Sequence, residues 1–106
     1  MALPLEIDVT TAADYLRQGA LLVDVREPHE VAICAVTGSQ PIPMRQIPEN
    51  LATLPQDQLI LLMCHHGSRS ERVTQFLRSK GYDQATNVAG GIDAWAQQID
   101  PTLTRY

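Results

Sequence analysis

The sequence lacks any apolar run near the roughly 20 residues of a membrane-spanning helix, so no membrane partner is expected. It also lacks clustered basic residues. Its 8 Lys and Arg are dispersed among 12 Asp and Glu, giving a net charge of -4. That balance disfavours nucleic acid and anionic lipid surfaces. Cysteine is scarce, and two residues cannot build the disulfide framework of a small secreted domain. Met1-Ala2-Leu3-Pro4-Leu5-Glu6 has no basic segment ahead of an apolar one, the mark of a secretory leader. These absences point to a reducing, cytoplasmic setting in which both thiols stay free. Aromatic residues make up only 5%, too few for a large hydrophobic interface, so a monomer is the default.

What is present suits one globular domain spanning residues 1–106, at 44% hydrophobic and 19% charged residues. Leu5-Glu6-Ile7 predicts a short strand. Thr10 or Thr11 predicts a helix cap, with Ala13, Tyr15 and Leu16 on a helix stopped near Gly19. Leu21-Leu22-Val23-Asp24-Val25 is almost continuously apolar and ends in charge, as central parallel strands do. Pro28 opens a brief helical turn through Val31 to Ile33, and Ser39 to Pro43 is extended. Pro48, Leu51 and Leu54 predict another helix ending before Pro55. A strand follows over 59–63 and a helix over about 69–79, closed by Gly81 and Tyr82. Ala85 to Val88 forms the last strand. After the Gly90-Gly91 turn, Ile92, Trp95, Ala96 and Ile99 share one helix face until Pro101. Strands alternating with helices predict an α/β fold, a parallel sheet of about five strands with helices on both faces.

The chemistry concentrates at Cys64, between the apolar run Leu59 to Met63 and the polar turn His65-His66-Gly67-Ser68-Arg69-Ser70. A thiol placed where a strand ends and a helix begins meets free amides and the positive end of the helix dipole. Both lower a cysteine pKa, which makes Cys64 the candidate nucleophile. Gly67 permits a left-handed turn or close backbone approach, so that successive N–H groups face one concavity. Ser68 and Glu71 have the spacing of a capping box. Arg69 brings a permanent cation, and His65 and His66 bring hydrogen-bond donors. Ser70 can hydrogen-bond the sulfur or the local backbone. Asp24, Arg26 and Glu30 read as a supporting ion-pair cluster. Adjacent histidines lack the spacing of a zinc site, so no metal is expected.

Four blocks, in order, resemble the rhodanese family. They are Asp24-Val25-Arg26-Glu27-Pro28-His29-Glu30; Gly38-Ser39 with Ile42-Pro43; Cys64-x-x-Gly67-x-Arg69-Ser70; and Gly90-Gly91-Ile92-x-Ala94-Trp95. The resemblance implies a rhodanese-like fold and a sulfurtransferase without cofactor. Its Cys64 would take sulfur from a small anion such as thiosulfate and hold it as a persulfide. The acceptor would be cyanide, a thiol or a sulfur-carrier protein. In this picture His65, His66, Gly67, Ser68, Arg69 and Ser70 form the persulfide-binding loop.

The same fold also hosts arsenate reductases and dual-specificity phosphatases. Four residues separate Cys64 from Arg69, one fewer than in those relatives, and the tighter loop suits a single sulfur atom. A regulatory module that binds a partner protein is the rival of another class. The chain departs from the family at Cys34-Ala35, where many members have Gly-His. Cys34 thereby becomes a candidate resolving thiol, although an inert, packed cysteine is the simpler reading.

Overall fold

The computed structural model describes residues 3–106; Met1 and Ala2, which open the segment read for a leader, lie outside them. Five strands, β1 (Glu6–Ile7), β2 (Leu21–Asp24), β3 (Gln40–Pro41), β4 (Ile60–Met63) and β5 (Ala85–Val88), form one parallel sheet. Their order is β1-β5-β4-β2-β3, with β4 at the centre, paired Leu21 to Ile60 and Asp24 to Met63 against β2. The helices are α1 (Val9–Arg17), α2 (Pro28–Ile33), α3 (Ser68–Ser79) and α4 (Gly91–Gln98). The expected parallel sheet with helices on both faces is the fold observed.

Successive strand residues point to opposite faces, and here both faces are apolar. Ile60, Leu62 and Val23 pack with Val73 and Leu77 of α3 and with Ile47 and Leu54. Leu61, Met63 and Leu22 pack with Val9 and Ala12 of α1 and with Ile92 and Trp95 of α4. Among the described residues, no helix is long and apolar enough to cross a membrane.

Three local expectations are corrected. The helix expected from Pro48 is a 3-10 segment, Pro48–Thr53, and another, Met44–Gln46, precedes it. In Pro48–Thr53 the backbone bonds run three residues back, with Asn50 N–H to Ile47 O at 3.0 Å and Leu54 N–H to Leu51 O at 3.1 Å. The α1 cap is Asp8, whose carboxylate accepts the Thr11 N–H at 2.8 Å, and not a threonine. The Ser68–Glu71 capping box does not form. Gly67, at φ +111°, occupies the cap position, and Ser68 is already helical and exposed. The expected stop at Gly81 is present: Tyr82 N–H reaches Leu77 O at 3.0 Å and Gly81 N–H reaches Arg78 O at 3.2 Å.

This topology fixes where a site can lie. The chain leaves β4 towards β5 and leaves β2 towards β3, on opposite sides. The carboxyl ends of β4 and β2 therefore flank the crevice at a topological switch point. Cys64 follows one strand directly, and Val25-Arg26 follows the other.

Leu62, wholly buried at the centre of the sheet, gives the stability test. Leu62→Ala is expected to cost about 2–5 kcal/mol in urea unfolding. A loss under about 1 kcal/mol would contradict a close-packed layer beneath α3.

Candidate active site

Cys64 is buried at 1% exposure, and its main chain is held by α4. The first-turn amides of Ile92 and Asp93 donate to the carbonyls of Cys64 and His65, at 2.9 and 3.1 Å. These amides have no partner within their own helix, so the carbonyls of the loop satisfy them. Gly91 makes the approach possible. A Cβ there would lie 2.4 Å from the Cys64 oxygen and 2.5 Å from that of His65, and its φ is +59°. With the His65 carbonyl turned to α4, the His66 amide in the same peptide plane is turned to the sulfur. Gly67 N–H donates to Sγ at 3.1 Å, and the Ser70 hydroxyl lies 3.3 Å from it.

Two opposed influences act on this thiol. Burial raises its pKa, because a charged sulfur loses water. Hydrogen bonds from the Ser70 hydroxyl and from the amides of Ser70, Gly67 and His66 outweigh burial, and the pKa falls below that of a free cysteine. The cradle of amides expected around Cys64 is therefore present.

The supporting ion pairs are rearranged relative to expectation. Arg26 and Asp24, both wholly buried, form a pair with Nη2 to Oδ2 at 2.6 Å and Nε to Oδ1 at 2.9 Å. Arg26 Nη1 reaches the backbone oxygen of Glu30 rather than its carboxylate. That carboxylate instead takes Arg69 in a two-pronged pair, Nη1 to Oε2 at 2.8 Å and Nη2 to Oε1 at 2.9 Å. The single cluster is thus two pairs, because each planar guanidinium is matched by one carboxylate. Arg69, expected as a cation for a bound anion, already has its counter-ion. The Arg69 bonds hold the Glu30 carboxyl at about 2, against an ordinary 4.5.

Tyr106 joins the two pairs. Its hydroxyl accepts from Arg26 Nη1 at 2.9 Å and donates to Glu30 Oε1 at 3.1 Å. Its ring stacks on His65, with centroids 3.8 Å apart and planes 7° from parallel, and His65 stacks in turn on His66 at 3.9 Å. His65 Nε2 is buried without a partner among the described residues. The His66 side chain is largely exposed, 4.0 Å from Asp93.

Two contributors escaped the sequence reading. No pattern marked Tyr106, which follows the last helix. Asn87 carried one faint signal, an amide in a four-residue strand, where asparagine is disfavoured. Its side chain is wholly buried and spans Glu6, Gly67 and Ser70. Cys34 is a free thiol that packs with the α1/α4 face, whereas Cys64 belongs to the α3 face. The packing favours the inert reading of Cys34. Among the described residues, no group of three His, Cys, Asp or Glu side chains could hold a metal.

Gly91→Ala drives a methyl group into the Cys64 carbonyl. It is expected to destabilise the fold by more than about 1 kcal/mol and to slow iodoacetamide alkylation of Cys64. A variant alkylated at the wild-type rate would break the link between Gly91 and the cradle. For Glu30 the native pKa lies below the unfolded one. Its stabilisation is therefore complete above about pH 4.5 and fades as pH falls towards 2. Glu30→Gln should lower the urea midpoint at neutral pH and flatten its decline across that acid window. An acid decline as steep as the wild type's would place the coupling elsewhere.

Residues 8–98 match the family model for the rhodanese-like domain. A protein of Allochromatium vinosum named sulfurtransferase is 34% identical over 100 residues, covering 92% of this chain and 94% of that one. An adenylyltransferase and sulfurtransferase of Zea mays is 33% identical over 93 residues, covering 81% of this chain but 19% of that protein. The chain spans between 19% and 30% of the length of several curated relatives it matches. Among solved structures, one from Staphylococcus saprophyticus superposes with a TM-score of 0.81 at 32% identity, covering 91% and 97% of the two chains. A human single-domain sulfurtransferase gives 0.84 at 25% identity, covering 91% and 98%. With its sheet order, its Cys64 loop and these matches in agreement, the chain belongs to the rhodanese-like domain family.

Proposed function

We propose that this protein is a sulfurtransferase that carries one sulfur atom on Cys64. One observation supports the reading above others: a buried sulfur faces the amides of a loop only four residues long between Cys64 and Arg69. Such a cradle holds a one-atom anion at short range and leaves little width for a tetrahedral oxyanion.

In the first half-reaction the Cys64 thiolate attacks the outer sulfur of thiosulfate. A new S–S bond forms as the donor's own S–S bond breaks, and the electron pair leaves with sulfite. The charge then sits on the outer sulfur of a Cys64 persulfide, within reach of the loop amides. In the second half-reaction an acceptor such as cyanide or a thiolate attacks that outer sulfur. Cys64 departs as thiolate, stabilised by the same hydrogen bonds that lower its pKa. No oxidant, metal or organic cofactor enters either step. Relatives in which a sulfurtransferase is named together with an adenylyltransferase make a sulfur-carrier protein a natural alternative acceptor.

Incubation with thiosulfate and cyanide should yield thiocyanate. With thiosulfate alone, the intact protein should gain the mass of one sulfur atom, and Cys64→Ser should abolish both results. Absence of both in the wild type would leave the regulatory-module reading. Turnover surviving in Cys64→Ser would show that another group is the nucleophile. Efficient hydrolysis of an aryl phosphate by the wild type would overturn the loop-length argument.

A further inference from the structure

Ser70 has one hydroxyl proton and three acceptors within reach. Asn87 Oδ1 lies at 2.5 Å, Cys64 Sγ at 3.3 Å and Gly67 O at 3.3 Å. The orientation of Asn87 follows from its other neighbours. Its Nδ2 lies 2.9 Å from Glu6 Oε2 and 3.0 Å from Gly67 O, and both can only accept. The amide NH2 must face them, so Oδ1 is left to face Ser70 as an acceptor. Ser70 and Asn87 are both wholly buried, out of contact with bulk water.

We propose that Asn87 is a positioning residue that governs Cys64 by competing with its sulfur for the single proton of Ser70. The inference rests on the reading of Cys64 as the nucleophile. While the sulfur is neutral, the shorter contact wins and Ser70 donates to Asn87. The Ser70 oxygen then presents a lone pair to the thiol. When the sulfur carries charge, a charge-assisted O–H···S bond is the stronger of the two, and the hydroxyl swings to the sulfur. Each ionisation therefore gives up the Ser70–Asn87 bond. Asn87 holds Cys64 less acidic than the amides and Ser70 alone would make it. Attacking thiols work best with a pKa near ambient pH, because nucleophilicity falls as acidity rises. The hydroxyl therefore faces the sulfur while Cys64 is a thiolate, and turns back to Asn87 when Cys64 is reprotonated.

The other charged or titratable groups near Cys64 are Arg69 on α3, paired with Glu30 of α2, and the Arg26–Asp24 pair beyond β2. His65 and His66 follow it in the loop, with Tyr106 stacked on His65 and Asp93 of α4 close to His66. Glu6 lies beyond Asn87. Glu6 and the Gly67 carbonyl lose the Asn87 amide in Asn87→Leu, but they lose it in both backgrounds of a cycle confined to residues 70 and 87, so that effect cancels in the difference.

The test is the pH midpoint of iodoacetamide alkylation, read at the Cys64 peptide by mass so that Cys34 does not contribute. Ser70→Ala should raise the midpoint by about one pH unit, the scale of one lost hydrogen bond. Asn87→Leu should lower it by about half a unit, and should lose most of that shift in the Ser70→Ala background. An equal change in both backgrounds, or a rise, would overturn the proposal, because Asn87 would then act without Ser70. Should Asn87→Leu fail to fold, the side-chain amide resonance of Asn87 answers the same question in 15N-labelled protein. It should titrate with Cys64 in the wild type and lose most of that movement in Ser70→Ala; an unchanged titration overturns the proposal. No sulfur donor enters either measurement. Failure of thiosulfate to load Cys64 would therefore count against sulfur transfer alone.

Discussion

Everything at the crevice depends on the contact between α4 and the main chain of Cys64 and His65. Two carbonyls accept the first-turn amides of Ile92 and Asp93, and the peptide planes that carry those carbonyls are thereby fixed. Rotating the plane of the His65 carbonyl would turn the His66 N–H away from the sulfur, and rotating either plane would strand a helix amide without a partner. A glycine at 91 is the condition for this approach, since any side chain would occupy the space of the carbonyls. The anion cradle is thus built by a segment nearly 30 residues further along the chain than the cysteine it serves.

The cradle decides a contest that burial alone would settle the other way. A sulfur removed from water at the end of a central strand is, by that fact, a poor acid. Several short, oriented hydrogen bonds reverse the outcome, and they come from atoms whose positions are already determined by α3 and α4. The backbone amides need no reorganisation when charge appears there; only the Ser70 hydroxyl turns. The ion pairs hold the frame around this centre. Asp24 locks Arg26 beneath α2, Glu30 fixes Arg69 at the start of α3, and Tyr106 bridges the two while covering His65.

The elements that position the site were legible because their signals are local. The run from Leu59 to Met63 had the length and apolarity of a central strand, and Gly81-Tyr82 stated where α3 stops. Cys64 stood out because a strand end and a helix start flank it within a few residues. What could not be read was pairing across space. Ser68 and Glu71 matched a capping box, yet the cap went to Gly67, because the chain must turn left-handed there to face the sulfur. Glu30 stood four residues from Arg26 and suggested one cluster, but tertiary packing gave its carboxylate to Arg69, 39 residues away. Asn87 and Tyr106 sit in no motif, and only the fold brings them to the loop.

The pairing of Arg69 with Glu30 bears on how sulfur transfer would be achieved. A free guanidinium beside the cysteine would attract thiosulfate and sulfite alike, and uniform attraction strengthens binding without speeding the chemical step. With its charge already matched, Arg69 leaves the sulfur to the dipoles of the loop. Dipoles act over a few ångströms, on the atom that bears the charge, and not on a dianion approaching from solvent. In the proposed reaction the thiolate before the first step, the persulfide between the steps and the thiolate leaving in the second would place charge within that short range. A compensated frame around an uncompensated cradle therefore favours the enzyme-bound sulfur over the ions that bring it and carry it away.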